Sequence, residues 1–279
     1  MLLGEFRCPP EFPGFRDAGR IRNHVVAFPR SAVWIERDGE RPFVSDSTQA
    51  VLHTPGREYS RGAVSSAGDV TDWIALPEHV AREIVGEHSV TDAGAARAFR
   101  HGRASVPGSL YRAQRALFAR AASGEAEAME LEETALRLVG ETLALTYRAT
   151  ATPADVGARS EDGTRSADGS TGKARQRDLA EAAKAVLAKH LEQNQGIAQL
   201  AERLDVSSFH LCRTFRRATG TTVHGYRRAL RLREALHRLA EYRGDLSSLA
   251  LDLGFSSHAH LTSAFRGAFG VPPSQVALR

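Results

Sequence analysis

Residues 254–270 read GFSSHAHLTSAFRGAFG, and two histidines, His258 and His260, stand one residue apart in them. On a β-strand the two imidazoles share a face and can grip one metal ion. On an α-helix they point about 200° apart and cannot. The apolar residues decide between the two. Leu261, Phe265 and Ala268 recur at the spacing of a helix with one buried face, Ser256 stands before them as an N-cap, and Gly270 ends the run. His258 and His260 are therefore expected on nearly opposite sides of a helix, not as a chelating pair.

The same phrasing occurs earlier in the chain. Leu200-Ala201, Leu204, Val206 and Ser207 match Leu249-Ala250, Leu253, Phe255 and Ser256 at an offset of 49 residues. Leu211, Phe215, Arg216 and Gly220 match Leu261, Phe265, Arg266 and Gly270 at an offset of 50, so one residue is inserted. Each copy holds two short amphipathic helices joined by a tight turn, which is a helix-turn-helix. The copies span 197–218 and 246–269. Between them, 223–240 reads as a connecting helix roughly 27 Å long at the usual rise per residue. Arg227, Arg228, Arg231 and Arg233 stud this rod. Some are expected to meet phosphate and others to tie the two units together through ion pairs, with Glu234 or Asp252 as partners.

If Leu211, Phe215 and Ala218 point inward, helical geometry sets the outward face. It carries Phe209, His210, Cys212, Arg213, Arg216 and Arg217 in the first unit, and His258, Ala259, Thr262, Ser263 and Arg266 in the second. A helix of this width fits the major groove of DNA, and arginines beside it attract phosphate. Arg213 is the candidate for bidentate reading of a guanine, and Arg228 for a phosphate contact. Thr262, Ser263 and Ala259 offer methyl contacts and single hydrogen bonds, so the second unit is expected to discriminate less.

Charge agrees with this division. Residues 175–279 carry 16 Lys and Arg against 9 Asp and Glu, net +7, and residues 1–174 carry 21 against 24, net −3. A basic third on a slightly acidic remainder suits a polyanion partner, although a solvated basic surface has the same composition. Two cysteines far apart, Cys8 and Cys212, allow no disulfide framework and fit a reducing cytoplasm. No apolar run is long enough to span a bilayer, and Pro and charge come too early for a signal peptide.

The stretch 150–174 has one valine and no other large apolar residue, so it reads as a flexible linker. Before it, residues 20–77 hold short β-branched and aromatic runs punctuated by Gly and Pro, with Asp38-Gly39 as a hairpin turn. That pattern predicts an antiparallel sandwich or small barrel, followed by helices over about 110–148. In the last of these, a second stripe of Leu136, Leu143 and Tyr147 widens the apolar face. A face so wide either packs on its own sheet or also meets a partner helix.

Through LAERLDVSSFHLCRTFRRATG, YRRALRLREAL and LALDLGFSSHAHLTSAFRGAFGVPPSQ, residues 178–276 resemble the AraC/XylS family of bacterial transcription regulators. The resemblance implies an all-α DNA-binding domain over 175–279, with base contacts from Phe209, Cys212 and Arg213 and from Ala259, Thr262 and Ser263. It also implies, through a weaker likeness of residues 1–149, a mainly β, cupin-like sensor and dimerisation domain. The partners implied are promoter DNA, a second copy of the chain, RNA polymerase and a small-molecule effector, with activation the expected sign. Arg30, Trp34, His53, Tyr59, Arg61 and Trp73 are the candidates for lining an effector pocket; ordinary core packing accounts equally for the two tryptophans. No catalytic residue, metal or cofactor is expected. A metal-dependent cupin enzyme needs an H-x-H pair that His24, His53, His79, His88 and His101 do not supply. A domain that only dimerises, without a ligand, stays open beside the sensor.

Overall fold

A computed structural model describes residues 1–88, 99, 101–150, 167–242 and 244–276. The N-terminal part is built from two antiparallel sheets. One runs in the order β1 (Leu2–Cys8), β8 (Asp69–Leu76), β3 (His24–Pro29), β6 (Gln49–His53), β9 (Arg103–Ser105). The other runs β2 (Asp17–Arg20), β7 (Glu58–Ala63), β4 (Val33–Arg37), β5 (Phe43–Ser45). Strand alternation gives each sheet two faces. Val26, Phe28, Leu52, Ile74 and Leu76 of the larger sheet turn outward onto three helices, α1 (Glu78–His88), α2 (Gly108–Ser123) and α3 (Ala128–Thr150). Ala27 and Val51 turn the other way and meet Val33, Ile35 and Phe43 of the smaller sheet.

The strands therefore begin earlier than 20 and include β9 beyond 77, and α1 precedes the expected helices. The hairpin at Asp38-Gly39 is present, with Gly39 at φ 75° between β4 and β5. On α3, Leu143 is fully buried, and Leu136 and Tyr147 pack on the same intramolecular core. The second stripe is spent on the chain's own helices and sheet. The exposed face of α3 carries Met129, Glu133, Arg137 and Glu141 instead.

Both ends of the expected linker, 150–174, are helical. Thr150 closes α3, and 167–174 already belong to α4 (Ala167–Lys189); 151–166 lie outside the described residues. Gly and Ser in ADGSTGKA weigh against a helix by propensity. The apolar residues that follow, Ala180, Ala183 and Leu187, bury against the next helices and anchor α4.

Those helices are α5 (Ile197–Arg203), α6 (Ser208–Thr219), α7 (Val223–Arg238), α8 (Leu246–Asp252) and α9 (His258–Phe269). The repeat shows in its hydrogen bonds. Val206 N donates to Ala201 O at 3.0 Å and Phe255 N to Ala250 O at 2.8 Å; Gly220 N donates to Arg216 O and Gly270 N to Arg266 O, both at 2.9 Å. Ser207 caps α6 by accepting from His210 N, as expected. The cap of α9 is Ser257, which accepts from His260 N, and not Ser256. Ser256 is the inserted residue, and its hydroxyl sits 3.0 Å from His260 Nδ1.

α7 belongs to two cores. Val223, Tyr226 and Leu230 pack with α4, α5 and α6, whereas Leu232, Ala235, Leu236 and Leu239 pack with α8, α9 and the helices of the β unit. Arg231 lies between them. Its guanidinium donates to Leu191 O (2.9 Å), Gln193 O (3.0 Å) and Gly254 O (2.9 Å). Burial pushes its pKa down to about 10, which leaves it charged at neutral pH. The units are thus tied by carbonyl bonds, and not by the ion pairs expected from Glu234 and Asp252. Glu234 pairs with Arg238, and Asp252 accepts from the Tyr242 hydroxyl. Gly254 closes the second turn at φ 71°, where a Cβ would stand 2.6 Å from Arg231 Nη2.

The two parts of the chain also pack on each other. The Tyr226 hydroxyl donates to Asp46 in the turn between β5 and β6, and Arg233 donates to Val106 O at 2.6 Å. Tyr111 of α2 bonds and stacks with His237, and Arg112 reaches Phe269 O at 3.0 Å. Arg41 pairs with Asp178 at 2.8 Å. Replacing Arg231 by Met leaves three carbonyls without their charged donor, so urea unfolding should show a loss of about 3 kcal/mol. A loss below about 1 kcal/mol would contradict the stapling role.

Candidate nucleic-acid interface and inter-sheet cavity

Leu211, Thr214 and Phe215 point inward from α6, and Leu261, Phe265 and Phe269 from α9. The expected inward residue Ala218 is exposed, and Thr214 takes the buried position one turn earlier. The opposite face of α6 presents Phe209, His210, Cys212, Arg213, Arg216 and Arg217, all exposed; Phe209 is 74% exposed despite its apolar ring. On α9, His258, Ala259, Ser263 and Arg266 are exposed at the equivalent face. Thr262 departs from expectation. It is half-buried, and its hydroxyl is enclosed without a hydrogen-bond partner, so it offers no polar atom to a groove.

Four arginines on α6 and α9, Arg213, Arg216, Arg217 and Arg266, make no ion pair with any described residue. Arg228 of α7 is exposed and likewise unpaired. Arg227, Arg231 and Arg233, by contrast, are committed to carbonyl oxygens inside the molecule. Desolvation lowers the pKa of each of these three, a cost that their hydrogen bonds offset. Sequence spacing alone does not separate the two sets: on α7 itself Arg228 is exposed while Arg227, Arg231 and Arg233 are committed. His258 and His260 stand on the helix as expected. Among the described residues, no group of three or more His, Cys, Asp or Glu converges as a metal site.

A second feature lies between the two sheets, a cavity of about 620 Å³. Of the expected lining residues, His53, Tyr59, Arg61 and Trp73 reach it. Arg30 and Trp34 do not. Arg30 sits on the outer side of the larger sheet, bonded to Glu5 at 2.8 Å and facing Asp72. Trp34 lies on the outer side of β4 and packs toward α4 with Val44 and Val64. Strand alternation decides both cases: Val33 and Ile35 point inward, so Trp34 cannot.

Sequence reasoning missed Asp69 and Arg37. Asp69 pairs with Arg61 at 2.9 Å, both buried, and Arg37 places Nη2 3.4 Å from His53 Nδ1. Arg37 sits in ERDGERP, a stretch that reads as a charged surface turn; its position at i+4 from Val33 was the available signal. His53 is buried, and burial together with the Arg37 charge pushes its pKa down to about 3. Burial also drives His237 well below the usual imidazole range, reinforced by Arg115 and Arg30.

A family profile described as a helix-turn-helix domain matches residues 200–279. The multiple antibiotic resistance protein MarA of Escherichia coli is 33% identical over 84 residues, 30% of this chain and 66% of that protein. The probable transcription factor PqrA of Proteus vulgaris is 35% identical over 91 residues, 32% of this chain and 75% of that protein. The chain belongs to the AraC/XylS family. Among solved structures, the C-terminal domain of AraT from Geobacillus stearothermophilus matches 35% of this chain and 81% of its own, with TM-score 0.33 and 24% identity. ToxT from Vibrio cholerae matches 98% of this chain and 95% of its own, with TM-score 0.35 and 11% identity. The chain spans 66% of the length of the MarA proteins it matches. Within this AraC/XylS chain, no helix among the described residues is long and apolar enough to cross a membrane.

The buried imidazole sets a pH dependence. The unfolded chain binds a proton at His53 below about 6.5, whereas the folded chain does so only near 3, so stability falls as pH drops through that window. Between pH 7.5 and pH 5 this residue removes about 2 kcal/mol. His53→Gln should therefore lose that share of the pH dependence in urea titrations at both values. A variant that keeps the wild-type slope would show that His53 is not the group responsible.

Proposed function

We propose that the protein is a sequence-specific, double-stranded DNA-binding transcription regulator whose N-terminal β unit responds to a small molecule. The observation that carries this reading is the matched pair of exposed helix faces, α6 and α9, on one stapled rod. Their free arginines stand beside side chains able to meet bases. Arg213 reads a guanine edge; Arg216, Arg217, Arg228 and Arg266 hold phosphates; Phe209 and Ala259 offer apolar contact to thymine methyls. His210, Cys212, His258 and Ser263 complete the two faces. With Ala259 and an enclosed Thr262 hydroxyl, the second face contributes mainly affinity and the first mainly choice.

The β unit is read as a cupin-like sensor, with His53, Tyr59, Arg61 and Trp73 lining its cavity. It acts without catalysis or a cofactor. Family resemblance adds activation as the sign, RNA polymerase as a promoter partner, a homodimer through the N-terminal part, and a cytoplasmic setting. The Leu136, Leu143, Tyr147 stripe is no longer part of the dimer argument, because it is buried within one chain.

Two substitutions separate the assigned roles. Arg213→Ala should cost about 1–3 kcal/mol on the preferred duplex and relax preference at one base position. Arg228→Ala should weaken binding to all duplexes alike and reduce the salt slope by about one. Fluorescence anisotropy across a salt series, on duplexes selected from a random pool, reads both. Unchanged preference in Arg213→Ala, or a base-specific effect in Arg228→Ala, would overturn the assignment.

A further inference from the structure

The chemistry of the inter-sheet cavity restricts what it can hold. Arg61, on β7, is 4% exposed at its side chain and lines the cavity. Its guanidinium lies between the rings of Phe6 and Phe15, at 4.7 and 5.3 Å. That packing fixes the plane of the group and prevents it from turning to solvent. Only part of its hydrogen-bonding capacity is used. Nη1 donates to Asp69 at 2.9 Å, Nε is sealed against the protein with no partner, and Nη2 makes no hydrogen bond to a described residue, which leaves it as the donor open to the cavity. A buried guanidinium N–H left unpaired costs free energy that an incoming acceptor recovers.

The neighbouring groups are donors as well. Arg37 faces Nδ1 of His53 at 3.4 Å, and an arginine only donates, so the imidazole keeps its proton on Nε2. The Asp69 carboxylate is already engaged by Arg61 and by the Thr71 hydroxyl at 2.7 Å. Around the cavity and its mouth stand four arginines, Arg7, Arg20, Arg22 and Arg61, against two aspartates, Asp17 and Asp69. The remaining wall is apolar, formed chiefly by Val25, Ala27, Val33, Ile35, Val51 and Trp73. Trp73 closes that wall over Gly4, where a Cβ would stand 2.3 Å from the indole.

One end thus supplies N–H donors and excess positive charge, and the rest supplies hydrocarbon. We propose that the cavity binds an apolar monocarboxylate, with its carboxylate accepting from Arg61 and its body packed along the Trp73 wall. Amines are disfavoured because the buried carboxylate, Asp69, is already engaged by Arg61, and the other, Asp17, stands among the arginines that outnumber it. Neutral amides fit the same shape but bring no charge to the guanidinium. The proposal rests on the reading of the β unit as a sensor, and names the ligand class for it.

The test is isothermal titration of the full-length protein with 4-phenylbutyrate and decanoate, each beside its own primary amide. Either carboxylate should bind at least tenfold more tightly than its amide. Removing the Arg61 charge alone would strand buried Asp69, so the informative variant is the pair Arg61→Met with Asp69→Asn. In it the carboxylate preference should vanish while amide binding is retained and the thermal midpoint without ligand stays near wild type. Arg61→Lys keeps the charge but loses the forked pair of Nη donors that serves Asp69 and the ligand together, and should keep only part of the preference. Equal binding of acid and amide, binding by neither acid, or a preference that survives the double variant would each overturn the ligand class. DNA affinity measured with and without the bound acid reports separately on the sensor reading. If the acid binds with the predicted selectivity and DNA affinity does not move, the class stands and sensing fails.

Discussion

Three carbonyl oxygens converge on Arg231, two in the connection between α4 and α5 and one in the turn before α9. They come from two segments far apart in the chain, and none accepts from another charged donor among the described residues. The guanidinium is planar and always ionised at neutral pH, so its fork sets the direction of all three at once. The orientation of the two helix-turn-helix units relative to α7 depends on this one side chain and on the apolar residues either side of it. A lysine at this position has a single point of donation and does not reproduce the arrangement. The stiffness of the rod matters because two short helices read adjacent grooves only if their separation is constant.

The same rod is the contact with the β unit. Tyr226, Arg233 and His237 lie on one side of α7, two turns and then one turn apart, and meet Asp46, Val106 and Tyr111. The turn bearing Asp46 joins β5 to β6, strands that also contribute Ser45, Val51 and His53 to the cavity wall. Tyr226 in turn packs edge-on against Phe215 of α6, with ring centroids 5.4 Å apart. Cavity, strand turn, rod and first recognition helix are therefore in unbroken contact. Packed interiors transmit small displacements because they have few voids to absorb them. In the proposed sensor, this contact path is the route by which ligand occupancy would reach α6.

The C-terminal half was readable in the sequence because its signals are local and occur twice. Helix period, cap residues and turn residues recur at a near-constant offset, and each copy supports the reading of the other. The cap of α9 was misplaced by one residue because the inserted residue, Ser256, is a serine next to the serine that caps. Ala218, Thr262 and the partners of Glu234 and Asp252 were misjudged because they depend on packing. The β unit was read less well. Its strands are short, and β1 and β9 take their place through pairing with residues far along the chain. Arg30 and Trp34 were misplaced because facing is set by register, which composition does not carry. Arg37 and Asp69 were missed because buried charges look like surface charges until their partners are known. The division of the rod's arginines into free and committed is likewise a tertiary property. Arg228 and Arg231 are one turn apart and have opposite roles.

The central claim is that α7 holds α6 and α9 at a fixed separation on one side of a duplex. Hydroxyl-radical footprinting of the full-length protein on a selected duplex tests it most directly. The account predicts two protected patches on the same face of the helix, about 10 base pairs apart for each bound chain. A single patch, or two patches whose spacing varies between equally bound sites, would contradict it.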